Sequence, residues 1–219
     1  MNTYLYKLGA FTLAFVISGT PVIALANEST STLEVSRTNV QMQNRAQFED
    51  YSGSVRSFGE LKAKIELRER ELDQDDASTT FENRDIVRNT NPVRLAVHAF
   101  LNSRDLLGGI GEQVSEIAKE MNDSNATTTR MEIKMHSRGF LTRLLFGGDK
   151  DSAEIISKVV IRNQKLIEDL TALLDQSNIS ADVRVTLNAQ IIALENAQTR
   201  LMNLAIKERS NWGIFSWRF

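Results

Sequence analysis

Two stretches of about 25 residues, 152–176 and 180–204, each return large apolar side chains at spacings of three, four or seven. In the first these are Ile156, Val159, Leu166, Leu170 and Leu173, and in the second Leu187, Ile191, Leu194, Leu201 and Leu204. That period matches the 3.6-residue turn of an α-helix and puts one apolar stripe on each segment, whereas a half-buried strand alternates every second residue. Asn178 lies in the short polar turn between them, so the two segments are expected to fold back as an antiparallel hairpin, 151–210. Each arm would be roughly 38–43 Å long at a rise of about 1.5 Å per residue. Asp151 with Glu154 resembles a capping box, and Ser180 with Asp182 reads as an N-cap and a first-turn acid. Asn163 interrupts the first stripe. It is either a buried polar group that fixes register or, if the stripe rotates, a half-exposed one.

The same period extends upstream. Asn91 and Pro92 suit the N-cap and first position of a helix whose apolar face is Val93, Val97, Phe100, Leu101 and Leu107, with Gly108-Gly109 ending it. A second helix starts near Ile110 and carries Ile110, Val114, Ile117 and Met121. Its stripe thins over 122–129 and resumes with Met131, Met135, Leu141 and Leu145. This helix either runs on to about Phe146 or breaks near Asn125 and again at Gly139; Gly147-Gly148 makes the next turn. Residues 58–90 read as a thin-faced helix with Leu61, Ile65 and Leu72, then a polar connection with Phe81, Ile86 and Val87 as docking contacts. The expected fold is therefore all-α: a helical bundle over 91–219 dominated by a long, coiled-coil-like antiparallel hairpin, behind a flexible N-terminal linker.

The chain opens differently. Lys7 is its only charged side chain before Glu28, the stretch 8–17 is mainly apolar, and Gly19, Pro21 and Ala24-Leu25-Ala26 follow. A basic start, a short apolar run and an A-x-A site are the parts of a secretory signal peptide, with cleavage expected after Ala26. The competing reading is an uncleaved anchor from about Leu5 to Ala26. Both predict export, to the cell envelope or the extracellular space. Residues 27–57 are polar and poor in large apolar groups, which predicts a linker. The chain has no cysteine, which excludes disulfides, thiolate metal sites and cysteine nucleophiles.

Formal net charge is −2, so no global basic field points to nucleic acid. Folding the hairpin about Asn178 brings the C-terminal tail back to the segment before the hairpin. The tail holds both tryptophans, Trp212 and Trp217, with Ile214, Phe215, Arg218 and Phe219, and the facing segment holds Phe140, Leu141, Arg143, Leu144 and Phe146. Arg138, Lys150, Lys207 and Arg209 flank the same end. Aromatics beside cations suit a membrane interface, because indole tolerates the headgroup boundary and cations meet anionic lipids; they equally suit a protein hot spot. The plain alternative is that tail and segment bury each other as the end of the bundle.

Signals for chemistry are weaker. Glu112, Glu116 and Glu120, with Asp123, share a helical face and read as a solvated acidic surface; Glu132 with His136, and His98 elsewhere, make at best half a metal site. Gly108 to Gly111 lacks the strand and the Lys-Ser/Thr of a phosphate loop and reads as a tight helix–helix turn. No catalytic residue, metal or cofactor is expected. Asn27, Asn122, Asn125 and Asn178 each open an N-x-Ser/Thr sequon, predicted at accessible positions in the linker, the polar mid-helix stretch and the hairpin turn.

The run Asn91-Pro92-Val93-Arg94-Leu95-Ala96-Val97-His98, the turn Gly108-Gly109-Ile110-Gly111, the segment 140–148 and the aromatic C-terminus resemble uncharacterised secreted helical proteins of methanogenic archaea. The resemblance covers about 91–219. It implies an archaeal envelope location and carries no activity. The expectation is a non-enzymatic envelope protein that docks to a membrane surface or an envelope partner through its aromatic-basic end. The alternative is an exported, chaperone-like module that binds protein clients, which exposure of Met131 and Met135 would favour. Long apolar stripes also admit homo-oligomers formed through helical faces.

Overall fold

In the computed structural model of the chain, residues 55–79 and 83–215 are described, and all of them fall within one compact unit, Asn39–Phe219. The leader, most of the linker, Phe81 and residues 216–219 lie outside the described residues. The fold is all-α. Among the described residues the helices are α1 (Phe58–Ser78), α2 (Arg84–Asn102), α3 (Gly111–His136), α4 (Phe140–Phe146), α5 (Lys150–Gln176) and α6 (Ala181–Ser210). A 3-10 segment, Arg104–Ile110, turns α2 into α3. Helices α2, α3, α5 and α6 pack in a ring, each against the next, and α1 lies on α2.

The hairpin of α5 and α6 forms as expected. Ser180 Oγ accepts from the Val183 N–H. The cap of α5 is Asp149, two residues earlier than the expected Asp151, and its carboxylate accepts from the Ser152 N–H at 3.0 Å. The buried seam of α5 keeps the expected Ile156 and Leu170 but takes the following residue in place of Val159, Leu166 and Leu173. Ala153, Ile156, Val160, Asn163, Ile167, Leu170 and Leu174 recur at spacings of three and four and are buried, while Val159, Leu166 and Leu173 are half-buried. The facing seam of α6 is Leu187, Ile191, Leu194, Gln198, Leu201, Ala205 and Glu208. Asn163 Nδ2 donates to Gln198 Oε1 at 3.0 Å, so Asn163 is the buried polar group of the two readings and marks the register.

Upstream, three expectations are corrected. Helix α2 starts at Arg84, so Pro92 sits inside it rather than at its first turn. Ile86, Thr90, Val93, Val97 and Phe100 form one buried stripe straight through that position, and Pro92 itself is exposed, where water can replace the missing N–H bond. The polar connection is thus confined to the chain between Ser78 and Arg84, and α1 is docked, which is what a helix with so thin an apolar face needs to be stable. Leu61 and Leu72 are buried, and Lys64–Asn102, Asn91–Leu72 and Arg94–Asp75 contacts tie it to α2. Helix α2 ends at Asn102, before the glycines; Gly108 adopts φ 57° within the turn and Gly111 lies against the Arg104 carbonyl, which makes the segment a tight interhelical turn. Helix α3 is continuous through 122–129, and the chain breaks only before α4.

The interior is divided in two. The larger apolar cluster joins Val93, Ala96 and Phe100 of α2 with Val114 and Met121 of α3, Leu170 and Leu174 of α5, and Leu187 and Leu194 of α6. A smaller one near the other end is built from Met135, Ala153, Ile156, Val160, Leu201 and Ala205, with no contribution from α2. Between them lie buried Asn122, Asn125, Thr128, Glu132, Asn163 and Gln198. Glu132 is held by both terminal nitrogens of Arg200, at 2.5 and 3.0 Å.

Candidate functional site

The tail returns to the segment before the hairpin, as the folding of the hairpin requires. The Ile214 and Phe215 N–H groups donate to the Leu144 and Leu145 carbonyls, each at 2.9 Å, and the Gly148 N–H donates to the Asn211 carbonyl at 3.1 Å. This approach depends on glycine. A Cβ on Gly213 would stand 2.2 Å from the Gly147 nitrogen, and one on Gly147 would stand 2.5 Å from the Asn211 oxygen. Gly147 also has φ 79°, a conformation that other residues reach only with strain.

Charged groups lock the same corner from inside. Glu208 occupies a seam position of α6, is buried, and accepts from the Asp149 N–H at 2.9 Å and from Arg143 Nη1 at 3.3 Å. Arg143 also donates to the Met135 carbonyl, joining α4 to the end of α3. Lys134 Nζ lies 3.6 Å from the Asp149 carboxylate. Burial works against the charged form of Asp149, but the Ser152 N–H bond and the charges of Lys134 and Arg138 outweigh it and hold its pKa below the ordinary carboxylate value.

The backbone is therefore fixed while the side chains face outward. Phe140 and Trp212 are each 76% exposed, and Leu141, Leu144, Phe146, Ile214 and Phe215 are exposed with them; α4 has no buried residue. The plain alternative, mutual burial, does not hold for these residues. Lys150 Nζ sits 5.7 Å from the centre of the Trp212 ring, within cation–π range. Residues 132–154 and 196–215 contain Lys134, Arg138, Arg143, Lys150, Arg200, Lys207 and Arg209 alongside buried Glu132, Asp149 and Glu208 and exposed Asp151 and Glu154, with Arg143 paired to Glu208 and Arg200 to Glu132. Exposed apolar side chains gathered on adjoining segments make this corner the candidate site. No family model, curated protein or solved structure matches the chain.

Of the residues expected at this end, Phe140, Leu141, Arg143, Leu144, Phe146, Trp212 and Phe215 are brought together; Trp217, Arg218 and Phe219 lie outside the described residues. Sequence reasoning passed over Glu208 and Asp149, the buried pair that positions Arg143 and the turn. The available signal was Glu208 itself, an acid spaced three after Ala205 where the stripe calls for an apolar residue. The sequon reading changes. Asn178 is exposed, as expected, whereas Asn122 and Asn125 are buried within α3 and lack the accessibility assigned to them; Asn27 lies outside the described residues. Glu112 pairs with Arg104 and Glu120 with Arg162. Glu132 is taken by Arg200, and among the described residues no cluster of three or more His, Asp or Glu could hold a metal ion.

Proposed function

We propose that the chain is an exported, non-enzymatic helical bundle that docks peripherally on an anionic lipid surface through the corner formed by α4 and the C-terminal tail. The observation carrying this reading is the outward array of Phe140, Leu141, Leu144, Phe146, Trp212, Ile214 and Phe215 on a backbone held by glycine contacts and a partly buried ion pair. Lys150, Lys207 and Arg209, exposed around the rings, suit headgroup phosphates, while aromatic rings suit the headgroup boundary. Among the described residues no helix is long and apolar enough to cross a membrane, so the contact proposed is interfacial. Export rests on the leader pattern. The client-binding alternative loses its particular support, because Met135 is buried and Met131 packs against the smaller core.

The test is co-flotation of the chain beginning at Asn27 with vesicles rich in phosphatidylglycerol. The expected result is binding that falls as salt rises, and that falls at least about tenfold in the Phe140→Ser/Trp212→Ser variant, each ring contributing roughly 1.5–3 kcal/mol when withdrawn from water. Equal flotation of the variant and the parent would remove the corner from the account.

A further inference from the structure

The buried seams of three helices turn polar at one level. On α5, Ile156 and Val160 are followed by Asn163 and only then by Ile167 and Leu170; on α6, Leu194 and Ala197 give way to Gln198 before Leu201 and Ala205. On α3 the stripe between Met121 and Met135 passes through Asn122, Asn125, Thr128 and Glu132. All of these polar residues are buried, and bonds between helices hold them together: Asn163 meets Gln198, and Glu132 meets Arg200 two residues further along α6. A hydrogen bond exchanged for one to water adds little net stability, whereas each buried apolar side chain adds much more. Asn163 Oδ1 and Arg200 Nε are moreover buried here without hydrogen-bond partners. The belt therefore joins the two apolar clusters weakly.

The course of the chain lets the smaller cluster come apart alone. What lies beyond the belt belongs to one excursion, 133–162, which leaves along α3 and returns along α5, and to the C-terminal stretch 199–215. Helix α2, which completes the larger cluster, contributes nothing to the smaller. The bonds of Arg143 to the Met135 carbonyl, of the Asp149 N–H to Glu208, and of the tail to Leu144 and Leu145 all join segments of this end to each other. They are kept or lost together. We propose that this end, with α4 and the tail, opens as one unit while the rest of the bundle stays folded, the polar belt being its boundary. Opening turns Met135, Ile156, Val160 and Leu201 outward beside the rings already exposed at the corner, so the apolar face there has a closed form and an enlarged one. The opening stands independently of what the corner binds.

Native-state hydrogen exchange on the full chain, followed residue by residue in low urea, tests it. The Met135, Val160 and Leu201 amides should share one protection factor, at least about a hundredfold below that of Phe100, Met121, Leu170 and Leu187, and should depend less on urea, because the opening exposes less surface. Val97→Ala, in the larger cluster, should lower the protection of Phe100 and Leu170 roughly tenfold and leave Met135, Val160 and Leu201 unchanged, since Val97 stays packed in the opened form. Asn163→Leu/Gln198→Leu makes the seam apolar across the belt and should narrow the gap between the two groups. Protection common to both groups, a gradient running smoothly to the helix ends, a Val97→Ala effect felt equally at Met135, or a gap untouched by the double variant would overturn the proposal.

Discussion

Asn163 and Gln198 sit at seam positions where two leucines would pack without loss, and their hydrogen bond is what an apolar pair cannot supply. An amide pair forms in one alignment of the hairpin and is broken by any slip, so it selects register at a cost in stability. The cost is visible, since Asn163 Oδ1 is buried with no hydrogen-bond partner. Replacing Asn163 by Ala should lower stability by about 1–3 kcal/mol, because Gln198 is left buried and unpaired. The Asn163→Leu/Gln198→Leu double variant should recover or exceed parental stability while losing the penalty against register slip. Urea denaturation checks both; a double variant no more stable than the Ala variant would show that the pair does not act as a unit. From sequence, Asn163 was visible as an interruption of the stripe. Its fate was not, because the choice between burial and exposure depends on which neighbour the helix faces.

At the level of elements, the Asp149 cap joins three of them: it starts α5, meets Lys134 at the end of α3, and its N–H binds Glu208 of α6. Its pKa is lower in the folded chain than in the unfolded one, so its contribution is fully present above the unfolded pKa and is lost as pH falls through the folded value. Asp149→Asn keeps a capping side chain without the charge. It should cost about 1 kcal/mol at neutral pH and should narrow its gap to the parent below about pH 4. Thermal melts across that range test this, and a gap that widens on acidification would contradict it. The elements also explain what the sequence pattern could and could not reveal. The hairpin was legible because the Ser180 cap, the turn at Asn178 and two long stripes agree. The exact seam of α5 was not, because Val159-Val160, Leu166-Ile167 and Leu173-Leu174 are apolar doublets, and α5 faces both α6 and α3. One member of each doublet enters the seam, and Leu166 and Leu173 pack against the larger core from its side. Pro92 misled for a related reason: a proline on the solvent side of a packed stripe is tolerated, and sequence alone does not identify the solvent side.

Over the whole molecule, apolar packing is heaviest toward the hairpin turn, where α2 completes the ring, and lightest at the corner, where the smaller core has no part of α2. The bundle thins toward one end, holds that end with glycine contacts and a partly buried ion pair, and leaves aromatic rings outside. That the rings would converge was legible from the hairpin geometry. That they would face outward was not, since burial or exposure of a short terminal segment turns on backbone contacts such as Gly147 with Gly213 that no apolar spacing encodes. The most direct measurement uses the fact that both tryptophans of the chain, Trp212 and Trp217, belong to the tail. Tryptophan emission should shift to shorter wavelength when anionic vesicles are added, should be quenched by lipids brominated near the headgroup, and should return toward its starting position at high salt. Emission unchanged by saturating anionic vesicles, with the protein folded, would contradict the account.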